Sequence, residues 1–469
     1  MPTDRPAPPG DAPDVLVLGG GVAGLAAALR LADAGRTVRV LEASGHVGGV
    51  VRTLRQGGFE ADVGPDVFLA RKPAALRLCR RLGVETAVPR GGALVQRGGR
   101  LHPLPAGLSG LVPGQLGPLL TTPALPWSAR LRAALEPLVR PRAGDEDESL
   151  EAFAVRRFGR GAWDGLIEPL LGGLYGSDAG PISLRSTLPH LHDRERAGPF
   201  LRVGGGAGPA NVGGASPFRR PVGGMDRLTD ALADALREGG VAVETGVAAE
   251  AVRAAPGGYR VACADGTERE AAALLVALPA PAAARALRAL DEALAAPLDA
   301  VPMGGVTAVV VGFPSAGLAV PDTSGWLVPR AEDADGRGGA VQAVTMLSRK
   351  HAGTAPPGHD LARVFLRPAF DGDDGAAVDA ALGHLRMHLA AGPANPGEVD
   401  PVFTAVQRWR SVQPRYTLGH PARLAALDAA LAAHPDLALA GASLRGVGLP
   451  DVVAGAETAA DLLLSPPTP

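Results

Sequence analysis

A glycine-rich turn near the N-terminus constrains the fold of this chain more than any other feature. It follows the apolar run Val15–Leu18 and satisfies the pattern G-x-G-x-x-G with Gly19, Gly20, Gly21, Val22, Ala23 and Gly24. Residues 25–34 then have helical spacing and end at Gly35, and residues 37–41 are a second β-rich run. A continuous apolar run is typical of a strand buried on both faces, so the segment predicts one complete βαβ unit.

This unit predicts a dinucleotide-binding site. Gly19 allows the tight turn, Gly21 lets a pyrophosphate approach the backbone, and Gly24 lets the helix pack closely on the strand. The helix N-terminus offers N–H groups and a partial positive charge to the phosphates. Glu42 ends the second strand about 20 residues further on, where its carboxylate can accept hydrogen bonds from ribose hydroxyls. An acid there argues against a 2′-phosphate and therefore against NADP.

A second glycine pair favours FAD over NAD. Gly48 and Gly49 follow Glu42 and Ala43 closely, and Arg52 comes three residues later. The glycines allow close backbone approach and the guanidinium can balance pyrophosphate charge, as in flavoproteins of the monoamine oxidase type. A plain surface turn is the alternative interpretation.

The C-terminal region gives a second reason for FAD. Val447, Gly448 and Leu449 precede a predicted helix over residues 452–464, whose N-terminus could face the electron-rich edge of a flavin. A nicotinamide enzyme would not need the chain to return so far downstream to the first nucleotide fold. Because no His or Cys lies next to a flavin motif, we predict that FAD is bound non-covalently.

Composition excludes several classes of protein. The 469 residues suffice for two or three domains, and a net charge of −2 indicates no basic surface for nucleic acid. Two cysteines exclude a disulfide framework and favour a cytoplasmic setting. No apolar run is long enough to span a membrane, and the ten histidines are scattered, so no metal site is predicted. Residues 1–13 are predicted to be a disordered tail without a signal-peptide core.

Longer motifs resemble the oxygen-dependent porphyrinogen oxidases of haem synthesis, within the monoamine oxidase-like FAD superfamily. The most specific is the stretch 64–73, and the resemblance covers nearly the whole chain from Asp14. The other matching stretches are 101–105, 168–178, 183–187, 221–225, 409–420 and 446–451.

The resemblance implies an α/β fold with a discontinuous, Rossmann-like FAD-binding domain, an antiparallel-sheet substrate domain and a mostly helical lobe. We expect the FAD-binding domain at residues 14–88, 217–283 and 405–465, the helical lobe at 89–216 and the substrate domain at 284–404. The apolar, Pro-rich stretch 101–126 of the lobe is predicted to be core, and contact with a membrane surface stays open as the alternative.

The implied reaction is oxidation of coproporphyrinogen III to coproporphyrin III. Hydride passes from the macrocycle to the flavin, and O₂ reoxidises the flavin with release of hydrogen peroxide. The Gly-Pro-Asp form of residues 64–66, with Arg71 and Lys72, resembles the soluble bacterial branch, several members of which form coproporphyrin. Protoporphyrinogen IX oxidase is the alternative. Transient contact with the next enzyme of the haem pathway is a further expectation, as is peripheral contact with a membrane.

The resemblance also assigns the site residues. The expected flavin contacts are Gly19, Gly20, Gly21, Val22, Ala23, Gly24, Glu42, Ala43, Gly48, Gly49, Arg52, Gly64, Pro65, Asp66, Val67, Val247, Trp409, Val447, Gly448 and Leu449. Substrate propionates need cations at the edge of an apolar slot. The candidate cations are Arg71 and Lys72, and Leu174 and Tyr175 are candidates for lining the slot. Lys72 is the more informative cation because Lys350 is the only other lysine. A surface charge or a core position is the alternative for each, and no catalytic side chain is predicted.

Two other classes of protein remain open at this point. A flavin amine oxidase or carotenoid desaturase would share the nucleotide fold but not the 64–73 motif. A non-catalytic flavin-binding protein or redox chaperone would bind the cofactor without being reduced by a porphyrinogen.

Overall fold

The structure is a computed structural model of the chain. It describes residues 12–109, 111–142, 144, 146–175, 180–202, 216–335, 339–390 and 398–465, with the backbone alone at 109, 173–175 and 333–335. Within these ranges, no helix is both long and apolar enough to cross a membrane.

A parallel sheet carries the glycine-rich turn. Among the described residues it has five strands, in the spatial order Ala242–Thr245, Val38–Glu42, Val15–Leu18, Ala273–Val276 and Leu437–Leu439. All four residues of the central strand are buried, as its continuous apolar run predicts. The five strands come from three distant stretches of the chain, which confirms the predicted α/β fold class.

Both faces of this sheet are covered. One apolar core joins it to the helices Val22–Asp33, Pro73–Arg81, Asp226–Glu238 and Leu449–Leu464. On the other face lie the antiparallel strands Ala249–Ala255, Gly258–Cys263 and Glu268–Ala271, with the helices Ala280–Leu287, Glu292–Asp299 and His420–Leu431. A parallel sheet needs such cover because its strands are apolar on both sides.

A second, mostly antiparallel sheet packs against the helix Asp374–Leu389. Its strands, in spatial order among the described residues, are Phe403–Pro414, Met303–Pro314, His359–Leu366, Val341–Met346, Gly325–Leu327, Leu94–Arg97 and Arg100–Pro103. The pairing of Gly325–Leu327 with Leu94–Arg97 is the parallel one.

Two segments differ from the sequence-based expectation. Residues 94–103 form a hairpin of this sheet rather than part of a helical lobe, because Gly98 and Gly99 have φ of 58° and 70° and close a tight two-residue turn. The strand Phe403–Pro414 pairs along most of its length with Met303–Pro314, so it crosses the boundary expected after residue 404. The remaining domain boundaries stay predictions.

The helical region has its own apolar core. Its helices are Leu116–Thr121, Trp127–Ala134, Leu150–Phe158, Arg160–Ala162, Trp163–Ile167, Glu168–Tyr175, Leu184–Thr187 and Pro189–Arg196. The helices Leu150–Phe158 and Arg160–Ala162 are separated at Gly159, where φ is 89°. From the Pro-rich stretch 101–126, Val112, Leu119 and Leu125 are buried in this core.

Short elements complete the described fold. The strands are Thr53–Gln56, Phe59–Asp62, Phe68–Leu69, Thr86–Ala87, Leu108–Ser109, Val112–Pro113 and Phe218–Pro221, and the helical turns are Glu136–Leu138, Arg330–Asp335 and Leu347–Lys350.

Candidate dinucleotide and substrate site

The three glycines of the pattern have different structural roles. A Cβ added at Gly24 would lie 1.8 Å from the carbonyl oxygen of Gly19, and one at Gly19 would lie 2.7 Å from the carbonyl oxygen of Ala277. A Cβ at Gly21 would meet no atom within 4 Å. Packing therefore requires glycine at residues 19 and 24. Gly21 instead borders open space at the N-terminus of the helix Val22–Asp33. This arrangement fits a pyrophosphate on the Gly21 side.

Glu42 links the glycine turn to the next loop. Its Oε2 accepts a hydrogen bond from the Gly20 N–H at 2.7 Å, and its Oε1 accepts from the Ser44 N–H and hydroxyl at 2.8 and 2.7 Å. The second lone pair of Oε2 can still accept from a ribose hydroxyl. Ser44 was not among the residues predicted from the sequence, although a hydroxyl two residues after a strand-ending acid is a recognisable signal. Val247 lies beside Glu42, since its N–H donates to the Glu42 carbonyl at 2.9 Å.

The second glycine pair lies directly against the first turn. The Gly48 N–H donates to the Gly20 carbonyl at 2.8 Å, and a Cβ at Gly49 would lie 3.4 Å from the Gly21 Cα. Their φ angles are 100° and 60°, which favour glycine. Arg52 is half-buried, and its carbonyl accepts from the Val63 N–H at 3.0 Å. Its side chain forms no hydrogen bond or ion pair with another residue that the structure describes. Its guanidinium therefore suits a phosphate.

The motif 64–67 continues from this turn. A Cβ at Gly64 would lie 1.8 Å from the Val50 carbonyl oxygen, and the Trp409 indole N–H donates to the Val63 carbonyl at 2.7 Å. Pro65 and Val67 are half-buried. The glycine turns, the motif and Trp409 are thus brought to one region, as the resemblance implies.

Asp66 differs from the other residues of that motif. Its carboxylate is buried and already bound, by Lys350 at 2.7 Å, His351 at 3.0 Å and Arg363 at 3.1 Å. Burial would raise the pKa of Asp66, but Lys350 first, then Arg363 and His351, hold this pKa well below its usual range. The carboxylate is therefore an internal ion-pair partner, and the motif can face a flavin through its backbone.

The C-terminal turn is braced by the 409–420 motif. The Tyr416 hydroxyl accepts from the Gly446 N–H at 2.7 Å and donates to the Ala442 carbonyl, and the Tyr416 ring stacks on His420 at 4.0 Å. Burial lowers the pKa of His420. These contacts fix the segment that leads into Val447, Gly448 and Leu449, where the helix Leu449–Leu464 begins.

The substrate candidates fall into two groups. Lys72 donates to both carboxylate oxygens of Asp451, at 2.7 and 2.8 Å, and 55% of its side chain is exposed. Arg71 is exposed, and its guanidinium binds no residue within the described ranges. Leu174 and Tyr175 lie in the helix Glu168–Tyr175, but their side chains are outside the described part of the structure.

His190 is a further residue near the two cations. Burial first, then Arg71 and Lys72, lower the pKa of its imidazole. His190 belongs to the helix Pro189–Arg196 of the helical region. No local pattern distinguishes His190, so the sequence alone does not predict its place.

Comparison with known proteins places the chain in a family. Residues 22–464 match the model of the flavin-containing amine oxidoreductases. The chain belongs to this family. Membership confirms the predictions of an oxidoreductase and of FAD as its cofactor. No group of three or more His, Cys, Asp or Glu among the described residues is placed to hold a metal ion.

Individual relatives are similar over almost their whole length. The chain is 36% identical to the coproporphyrinogen III oxidase of Propionibacterium freudenreichii, over 98% of the chain and 92% of that protein. It is 30% identical to the protoporphyrinogen oxidase of Macaca fascicularis, over 95% of the chain and 97% of that protein. A solved structure from Exiguobacterium sp. 255-15, assigned as a protoporphyrinogen oxidase, has a TM-score of 0.82 and 26% identity, and covers 96% of the chain and 99% of its own.

Gly21→Ala and Gly24→Ala should separate binding from folding. Gly21 has φ of −70°, so Ala is unstrained there and its methyl group enters only the space for the pyrophosphate. We expect Gly21→Ala to melt near the wild-type temperature as apoprotein and to bind FAD at least about tenfold more weakly, roughly 1.4 kcal/mol. Gly24→Ala should lower the stability by about 1–3 kcal/mol, as overpacking does. Normal FAD affinity of Gly21→Ala in a fluorescence titration would contradict the assignment.

Proposed function

We propose that this protein is an FAD-dependent, oxygen-using coproporphyrinogen III oxidase that forms coproporphyrin III in haem biosynthesis. The observation that carries the proposal is the near full-length similarity to the coproporphyrinogen III oxidase of Propionibacterium freudenreichii. The 64–67 motif and the C-terminal turn pack near the glycine-rich turn at residues 19–24. This arrangement supports the proposal, because a flavin needs all three segments at one site.

The cofactor carries out the redox chemistry, and the residues of the chain bind and orient it. When bound, FAD would accept a hydride from the macrocycle, which also loses a proton, and O₂ would accept the two electrons with two protons and leave as hydrogen peroxide; the cycle would repeat until the macrocycle is aromatic. Residues of the glycine turns hold the phosphates, and Glu42 holds the ribose. FAD is held non-covalently in this proposal, since Cys79 and Cys263 are both buried within apolar cores.

The Lys72–Asp451 pair suits an exchangeable propionate site. An exposed ion pair contributes little net stability in water, so a substrate carboxylate can replace Asp451 at low cost. Arg71 adds a second exposed cation beside it. Coproporphyrinogen III has four propionates and protoporphyrinogen IX has two, so an edge with several cations favours the former.

Protoporphyrinogen IX oxidase is the second candidate. The 30% identity to the Macaca fascicularis enzyme supports this candidate. It ranks second because the identity to the coproporphyrinogen III oxidase of Propionibacterium freudenreichii is higher, at 36%.

An exposed apolar face supports peripheral contact with a membrane. Trp127, Leu131, Leu135 and Leu138 are 62, 47, 52 and 78% exposed and follow one side of a helix and the turn after it. Such a stripe, with an aromatic residue at one end, can enter a lipid interface.

Leu131→Glu should reduce sedimentation of the protein with anionic vesicles. If the wild type does not bind vesicles, the apolar face would instead favour contact with the next enzyme of the pathway.

Anaerobic mixing tests the proposed reaction. The holoenzyme is mixed with coproporphyrinogen III or protoporphyrinogen IX, and flavin absorbance is followed. We expect bleaching by both, with the higher kcat/KM for coproporphyrinogen III and peroxide formation when O₂ is admitted. A preference for protoporphyrinogen IX would select the second candidate, and no bleaching by either would leave a flavin protein with another substrate.

Lys72→Ala should raise KM for coproporphyrinogen III by about tenfold, roughly 1.4 kcal/mol, because it removes a cation for a propionate. Flavin bleaching at saturating substrate should be affected much less, although remote binding groups also position the reacting carbon. Arg77→Ala is the matched control, since Arg77 pairs with Glu457 between the same two helices and is 57% exposed. Equal kinetics in both variants would place Lys72 outside the substrate site.

A further inference from the structure

A buried ion cluster lies at the Gly64–Val67 segment. It consists of Asp66, Lys350, His351 and Arg363, whose side chains are 9, 19, 4 and 3% exposed. Asp66 lies 284 residues before Lys350 in the chain. Lys350 ends the helix Leu347–Lys350 and Arg363 lies in the strand His359–Leu366, so the cluster joins the second sheet to the N-terminal motif.

The cluster carries an excess positive charge. Burial lowers the pKa of His351, although Asp66 opposes this, so the imidazole is neutral near pH 7. The ionised Asp66 then neutralises only one of the two cations, Lys350 and Arg363. One positive charge remains where water is largely excluded, and charges interact more strongly there than at the surface.

Arg363 extends the cluster to the backbone of the flavin segment. Its Nη1 donates to the Gly64 carbonyl at 2.7 Å and also to the Asp62 carbonyl. Gly64 packs on Val50, which follows the glycine pair that contacts Gly21. A continuous series of contacts therefore leads from Gly21, where we expect the pyrophosphate, to the ion cluster.

A neighbouring network meets the cluster at the Asp62 backbone, whose carbonyl accepts from Arg363, and its one guanidinium and two carboxylates carry a net negative charge. Arg220 pairs with Asp62 at 2.7 Å and with Glu60 at 2.8 Å. Its side chains keep their partners when Lys350 is replaced, so the effect of Lys350 can be measured as a difference of one charge.

We propose that Lys350 is a positioning residue for the flavin, which holds the 64–67 segment through Asp66 and raises the reduction potential of bound FAD by its buried positive charge. Reduction adds negative charge to the flavin ring, and a fixed buried cation nearby stabilises that charge. The inference rests on the proposed flavin contacts at 64–67 and does not depend on the porphyrinogen substrate.

The midpoint potential of the holoenzyme measures this effect without any substrate. Equilibration with redox dyes during slow anaerobic reduction should give a more negative potential for Lys350→Gln than for the wild type. Lys350→Arg keeps the charge and should restore most of the wild-type value. Arg349→Gln is the matched control, because Arg349 is the adjacent residue and binds another buried carboxylate, Asp360, at 2.7 and 2.8 Å. Its potential should equal that of the wild type.

Asp66→Asn gives the opposite expected sign. It leaves Lys350 and Arg363 without their anion, so the potential should become more positive, whereas loss of a merely structural contact would shift both variants in the same direction. If Asp66→Asn does not fold, the comparison of Lys350→Gln, Lys350→Arg and Arg349→Gln decides alone. A wild-type potential in Lys350→Gln, or an equal shift in Arg349→Gln, would overturn the proposal. Absence of porphyrinogen oxidation would contradict the proposed substrate and leave these potentials unaffected.

Discussion

The helix Val22–Asp33 approaches the strand before it so closely that no methyl group fits at residue 24, where a Cβ would lie 1.8 Å from the Gly19 carbonyl oxygen. This approach sets the position of the helix N-terminus and therefore the place where phosphates can be bound. The other parts of the site are arranged around it. Gly48 donates to the Gly20 carbonyl, Glu42 accepts from the Gly20 N–H, and Gly64 packs on the chain that leaves the second turn.

A site assembled from distant stretches needs contacts that hold those stretches together. The apolar core shared by the helices Val22–Asp33, Pro73–Arg81 and Leu449–Leu464 supplies most of this, since burial of apolar area is the main favourable term in folding. The ion pairs between the same two segments, Lys72–Asp451 and Arg77–Glu457, have exposed basic side chains and half-buried acidic ones and add little stability. These ion pairs orient the two segments relative to each other, and the exposed Lys72 ammonium stays available to a substrate carboxylate.

The sequence predicts what local patterns encode. The βαβ unit, Glu42 and the glycine pair at 48–49 depend on spacing within a short segment, and the structure brings them together. The hairpin closed by Gly98 and Gly99 also had a local signal, but the Pro-rich surroundings obscured it. Partners such as Lys350 for Asp66 could not be predicted, because a contact between residues 284 positions apart depends on the packing of two sheets.

The two lysines of the chain show how exposure determines what the same side chain can do. Each pairs with an aspartate at 2.7 Å, but 55% of the Lys72 side chain is exposed and only 19% of that of Lys350. At the exposed pair, water and salt screen the attraction, so another carboxylate can exchange with Asp451. At the buried pair, separating the charges would leave an uncompensated ion in an apolar surrounding, so the pair is permanent. An exchangeable cation suits a substrate that must enter and leave, whereas a permanent one suits a cofactor that stays.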